Sequence, residues 1–310
     1  MSAAGAVAAP ARAASVLWRF SRPHTIIGTA VSVAGLLTIV LSEHPGAGAG
    51  TVAFQAFWTL VAALAVNVFI VGINQISDVE IDRVNKPFLP IAAGDLTVES
   101  AWWIVAATAI LPLALALTQG ALETVAVAAA LAIGAAYSLP PLRLKRFAIV
   151  ASLCVSGVRS AIVNLGVAGH FTATLAGGAR IPDAVWALTA FVLPFSLAIA
   201  ILKDVPDAEG DRRYAIATFT VRHGGRAVMR AGLAVLTVAY LGMAILGPVL
   251  VDDANPVLLC VSHLAALGLL FAAARRVDPS DRAGFTQFYL RVWQLFFLEY
   301  LIVPLCCLAG

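Results

Sequence analysis

Residues 74–87 read NQISDVEIDRVNKP and follow directly on the apolar run VAALAVNVFIVGI at 61–73. Carboxylates placed beside a stretch of hydrocarbon are costly, so their position at the end of such a run asks for a neutralising partner. Asn74, Asp78 and Asp82 are spaced i, i+4, i+8, which on a continuous α-helix keeps the three side chains on one face. The arrangement returns at 203–213, KDVPDAEGDRR, again at the end of an apolar run. There Asp204, Asp207 and Asp211 are spaced i, i+3, i+7 and also share a face, with Pro206 expected to disturb the helix.

Working outward, the 310 residues are 61% hydrophobic and 12% charged, with a mean hydropathy of +0.93. Such a composition excludes an ordinary soluble domain and reads as an all-α, polytopic membrane protein. Apolar runs long enough to cross a hydrocarbon core, about 20 residues each, fall at 24–42, 51–73, 101–118, 121–138, 147–169, 184–202, 230–250, 256–274 and 287–308. Nine transmembrane helices follow, in a single domain over 1–310, with residues 1–20 as an N-terminal cytoplasmic segment. Its start, MSAAGAVAAPARAA, is Ala-rich and free of acids, a faint transit-peptide character. With the N-terminus in the cytoplasm, alternate connections carry nearly all the bases and the opposite ones carry only Arg180. This positive-inside pattern puts both acidic clusters on the cytoplasmic face. The net charge of +3 is explained by topology and needs no nucleic acid. Cys154, Cys260, Cys306 and Cys307 lie in the spans without metal-ligand spacing and read as packing residues.

Two acidic faces on one side of the membrane can hold Mg²⁺ through a few carboxylates while leaving positions for diphosphate oxygens. The plainer reading is a pair of acidic loops that only salt-bridge to nearby bases. Lys86, Lys203, Arg212 and Arg143, the last from YSLPPLRLKR at 137–146, flank the clusters and suit a departing diphosphate. Positive-inside topology alone would also put bases there. Tyr137 opens the same loop. Arg159 stands mid-span in VRSAIVNLG, 158–166, followed by Asn164; an arginine there should face a polar cavity or a carboxylate. Arg22 and His24, in FSRPHTIIGT at 20–29, are either interfacial anchors or groups that reach an acidic co-substrate. His263 and Glu299 read as lone polar residues bonding between helices. Each half of the chain has an acidic-then-basic helix end four spans apart, a weak internal repeat.

In order along the chain, FSRPHTIIGT, NQISDVEIDRVNKPFLPIAAGDLT, YSLPPLRLKR, VRSAIVNLG and KDVPDAEGDRRYAIATFTVRHG resemble the UbiA superfamily of intramembrane prenyltransferases, and within it the homogentisate prenyltransferases. The resemblance implies a nine-helix bundle around a central cavity. It implies Mg²⁺ and a prenyl diphosphate held by Asn74, Asp78, Asp82, Asp204, Asp207 and Asp211, and a small aromatic acceptor, most simply homogentisate with decarboxylation. Asp78, Asp82, Asp207, Asp211, Lys86 and Arg159 would serve the chemistry. Asn74, Arg22, His24, Tyr137, Arg143, Asn164, Lys203 and Arg212 would bind substrates. Lys86 occupies a place where many quinone-pathway members have Arg, and Ser160 departs from the Gly expected after Arg159.

Other acceptors, 4-hydroxybenzoate among them, are compatible with the same residues. A UbiA-type terpene cyclase would use the same metal site and quench the cation internally. A transporter of anions would instead place its charges at the midplane, which these motifs avoid. The predominance of Arg over Lys, with abundant Ala and Gly, suits a GC-rich genome and a bacterial inner membrane, with a plastid membrane as the alternative. Nothing in the sequence specifies an oligomer.

Overall fold

The computed structural model describes residues 3–178, 180–214 and 216–310, without the side chains of 3–10. Among these residues it is helical throughout and has no strand. Among the described residues nine helices are long and apolar enough to cross a membrane: Pro23–Glu43, Ala49–Ser77, Val98–Gln119, Ala121–Ser138, Ala148–Leu175, Asp183–Leu202, Gly225–Leu250, Pro256–Ala274 and Arg282–Leu308. They are called the first to ninth spans below. A helix satisfies its own backbone, which is what hydrocarbon demands. Outward faces remain apolar, with Trp103, Ile110, Val238 and Val249 each at least 70% exposed, so the chain is an integral membrane protein.

Each predicted run matches one observed span, the run at 147–169 starting one residue early at the cap Phe147, and several of the spans extend further at their ends. The seventh span starts at Gly225 and so takes in Arg226, while the ninth starts at Arg282. Hydropathy marks the width of the hydrocarbon, whereas backbone hydrogen bonding continues into the interface. The second span, at 29 residues, is about 43 Å long against a core of about 30 Å. A helix longer than the core projects beyond it, and its last turns carry Asn74 and lead into the rest of the first acidic motif at Asp78.

The buried core is assembled chiefly from the first, sixth, seventh, eighth and ninth spans, with Phe195, Leu188, Tyr240, Phe296 and Leu36 fully enclosed. The first and ninth spans meet at Gly35, where an added Cβ would stand 2.5 Å from the Tyr300 carbonyl oxygen. Only a residue without a side chain permits that approach. His263 and Glu299 turn out to be partners, with Nε2 3.0 Å from Oε2 and both side chains fully enclosed.

The fifth span changes character midway. Residues Val158–Leu165 form a π-helix between α-helical halves. Ser152, Ser156 and Ser160 each donate to the carbonyl four residues earlier, a back-bonding that loosens and bends helices. The widened turn carries Arg159, consistent with the frequent placement of π-bulges at functional positions.

Ahead of the first span, Ala3–Phe20 forms a further helix. It is moored through Phe20, 1% exposed, and through Arg19, whose Nη2 donates to Asp95 at 2.6 Å and whose Nη1 donates to the Phe88 carbonyl at 3.1 Å.

Candidate active site

Both acidic motifs emerge at the same end of the bundle, by different backbone routes. The second span ends at Ser77, and Asp78 caps it and begins the short helix Val79–Asn85. Its N–H bonds to the Gln75 carbonyl at 3.4 Å, so the ladder does not run through from Asn74. This corrects the expectation of three side chains on one continuous face. Asn74 stays on the spanning helix and lines the central cavity, while Asp82 sits on the new turn with 5% exposed.

The sixth span stops at Leu202, and Asp204–Arg213 forms a helix of its own. Pro206 stands in its first turn, where an N–H has no intrahelical acceptor, so it fits that helix rather than disturbing it. Asp204, Asp207 and Asp211 keep their common helix.

Asn85 joins the two motifs, and its role was not anticipated from sequence. It is 5% exposed; its Oδ1 accepts from the Gly210 N–H at 3.0 Å and its Nδ2 donates to Asp211 Oδ1 at 3.4 Å. A Cβ on Gly210 would lie 2.3 Å from that Oδ1, so the clasp requires glycine there. Arg282 from the ninth span donates to the Asn85 carbonyl at 2.6 Å, and the Tyr214 hydroxyl donates to the Glu80 carbonyl at 3.0 Å.

Lysines occupy the positions facing the acids. Lys86 of the first motif pairs with Asp207 of the second. Lys145 donates to Asp78 Oδ1 at 2.7 Å and to the Ser77 hydroxyl at 2.6 Å. Arg143, singled out in that loop, is nearly half exposed and its Nη2 stands 3.7 Å from Asp78, so the nearer base is Lys145. Among the described residues no three His, Cys, Asp or Glu side chains converge as a ready metal cage. The donor set nevertheless fits a hard divalent cation, because Asp82 Oδ2 is buried without a hydrogen-bond partner and the surrounding oxygens are carboxylate.

Burial pushes Asp82 up to about 6, against the pull of Arg22 and Lys86. Burial likewise raises Asp204 to about 6. Asp211 rises to about 7, first through burial and then through the neighbouring Asp204 and Asp207. Carboxylates so buried give up their protons nearer to neutrality than exposed ones do, and positive charge placed beside them favours the ionised form.

Beside the motifs lies a cavity of about 300 Å³ whose polar end is lined by Arg22, His24, Asn74, Tyr137, Arg159 and Lys203. Lys203 Nζ donates to the Tyr137 hydroxyl at 3.2 Å. Arg22 holds a left-handed backbone, φ 53°, uncommon for a residue with a side chain and kept where surroundings over-determine it. Gln75 supplies part of that constraint by donating to the Phe20 carbonyl at 2.7 Å. The Arg159 guanidinium lies 4.4 Å from the Trp293 ring centroid and 5.3 Å from that of Phe296, a cation–π setting. Its Nη1 is buried without a partner. His24 meets the same indole edge to face at 5.1 Å. Trp293 is therefore a cavity residue that hydropathy alone concealed as one more apolar position in the ninth span.

Two of the expected substrate-binding residues lie elsewhere. Asn164 is fully buried and accepts from the Tyr300 hydroxyl at 2.7 Å, because the π-turn aims it at the ninth span instead of the cavity. Arg212 is exposed on the outer side of its helix and borders a separate surface groove with Glu209 and Arg226.

The pattern of the UbiA prenyltransferase family matches residues 25–298. The chain is 45% identical over 289 residues to the homogentisate phytyltransferase of Synechocystis sp., covering 93% of this chain and 94% of that protein. It is 38% identical to the chloroplastic homogentisate solanesyltransferase of Arabidopsis thaliana, covering 95% and 77%. The fold superposes on a UbiA homologue from Archaeoglobus fulgidus solved with GPP and Mg²⁺, with a TM-score of 0.65, 17% identity and coverage of 93% and 99%. An all-helical bundle of this architecture, with paired acidic motifs over a cavity and these relatives across nearly its whole length, belongs to the UbiA prenyltransferase family.

Proposed function

We propose that the protein transfers an isoprenoid chain from a prenyl diphosphate to homogentisate, with loss of CO₂, as a Mg²⁺-dependent membrane enzyme. The observation that carries this is the clasp of two acidic, lysine-bearing motifs beside an apolar cavity, in a chain 45% identical to a homogentisate phytyltransferase.

Asn74, Asp78, Asp82, Asp204, Asp207 and Asp211 are the oxygens that would hold Mg²⁺. Bound there, the metal supplies positive charge to the diphosphate oxygens. Lys86 and Lys145, which pair with Asp207 and Asp78, would turn to the diphosphate if those acids held metal. With Lys203 they stabilise the charge that develops as the allylic C–O bond breaks. The apolar walls keep water from the allylic cation, and the Trp293 and Phe296 faces stand close by. A ring carbon of homogentisate forms the new C–C bond and gives up its proton; the acetate arm loses CO₂ and gains a proton, leaving a methyl group. Arg159, with an unpartnered N–H at the cavity, suits the acceptor carboxylate, and Arg22 and His24 stand beside it.

The bases of the connections gather at the motif end, and Arg180 stands at the other. This supports a cytoplasmic motif end in a bacterial inner membrane.

Purified protein given Mg²⁺ and geranylgeranyl or phytyl diphosphate should release diphosphate and CO₂ and form a prenylated quinol only when homogentisate is added. Hydrocarbon formed without an acceptor would identify a cyclase instead.

A further inference from the structure

The cavity has a second polar end that the proposed chemistry does not use. From Asn74 it follows the second span to Thr59, and between them its walls are Ala62, Ala63, Val66 and Ile70, faced by Val127 and Ala130 of the fourth span. Fifteen residues of helix make this about 22 Å deep. At the far end Glu123, from the start of the fourth span, and His170, from the end of the fifth, both line the cavity, although each side chain is only 6% and 2% exposed. His170 Nε2 lies 3.1 Å from Glu123 Oε2 and 3.0 Å from Gln55 Oε1. Glu123 Oε2 is buried without a hydrogen-bond partner, so this carboxylate is left short of a donor. An ionisable pair at such a place in a membrane bundle is expensive and asks for a reason. The comparable pair His263–Glu299 is sealed inside the core, whereas this one is turned toward the space where a prenyl tail would lie.

We propose that Glu123, His170 and Gln55 form a polar floor that limits the length of the prenyl tail this protein accepts. The inference rests on the function proposed above. A hydrocarbon tip pressed onto the floor offers no donor to the undersatisfied oxygen and strips what hydration the carboxylate has. Tails that end above the floor gain from burying each further CH₂, while a longer tail must meet it or be diverted. Relatives carry names with tails as different as phytyl and solanesyl, so length is a property on which such chains diverge.

The test is binding of two non-reacting donors, geranylgeranyl and solanesyl S-thiolodiphosphate, to full-length protein in vesicles with Mg²⁺. The native protein should prefer the shorter. Glu123→Ala with His170→Ala should raise the solanesyl-to-geranylgeranyl affinity ratio by about tenfold or more. Gln55→Leu, a milder change at the residue that His170 contacts, should move the ratio in the same direction and serves if the double variant does not fold. A native protein with no length preference, or a ratio unchanged in any folded variant, overturns the inference. Length-graded binding in a protein that never prenylates homogentisate would leave the floor standing and refute the acceptor instead.

Discussion

The first acidic motif breaks its helix and the second begins one, and the difference lies in what each does with its backbone. At Asp78 the spanning helix is interrupted, which splits Asn74 from Asp82 and sends the latter inward. At Lys203 the chain makes a turn and then runs a fresh helix through all three aspartates, with Pro206 in the first turn. Similar acid spacings therefore lead to different geometry. What unites them is a set of contacts across the gap: Lys86 with Asp207 and Asn85 with Gly210 and Asp211. In the function proposed here the cation site would draw on both motifs.

Shared ligation predicts that the motifs fail together. Asp78→Ala and Asp207→Ala should each lower turnover by about a thousandfold or more, in keeping with the loss of charge that stabilises a departing group, while each variant remains in the membrane at native levels. Near-native rates in either would mean that one motif suffices. Lys86→Met and Lys145→Met separate the two sides, since each base faces the opposite or adjoining motif. Each should cost about a hundredfold in kcat/KM, with equal losses if both lysines move onto the diphosphate. Asn85→Ala cuts the clasp without removing any charge and leaves a buried N–H and a carboxylate oxygen unpaired, worth about 1–3 kcal/mol. Its expected signature is a raised Mg²⁺ requirement together with a lowered thermal midpoint, which Gly210→Ala should reproduce through the 2.3 Å clash. Arg212→Ala, on the exposed side of the second motif, should change kcat/KM by less than about twofold; a larger loss would return that side chain to the donor site.

The nine spans were legible because hydrocarbon imposes one length and one composition on every crossing. Asp78, Asp82, Asp204, Asp207 and Asp211 were legible because charge at such boundaries is rare. Asn85 was not, since an asparagine between Val84 and Lys86 looks like any interfacial polar residue until its partner Gly210, 125 positions away, is brought against it. Trp293 was hidden because an aromatic in a span satisfies hydropathy whether it faces lipid, core or cavity. Asn164 misled for the opposite reason. It shares a span with Arg159, but the π-turn between them rotates it onto Tyr300, and hydrophobic spacing carries no mark of such a turn.

The claim that both motifs hold one metal-borne donor is tested most directly by Mg²⁺-dependent binding of geranylgeranyl S-thiolodiphosphate to the intact protein. Native protein should bind it only with Mg²⁺, and Asp78→Ala and Asp207→Ala should each lose that dependence along with the affinity. Metal-dependent binding of native strength in either folded variant would contradict a shared site.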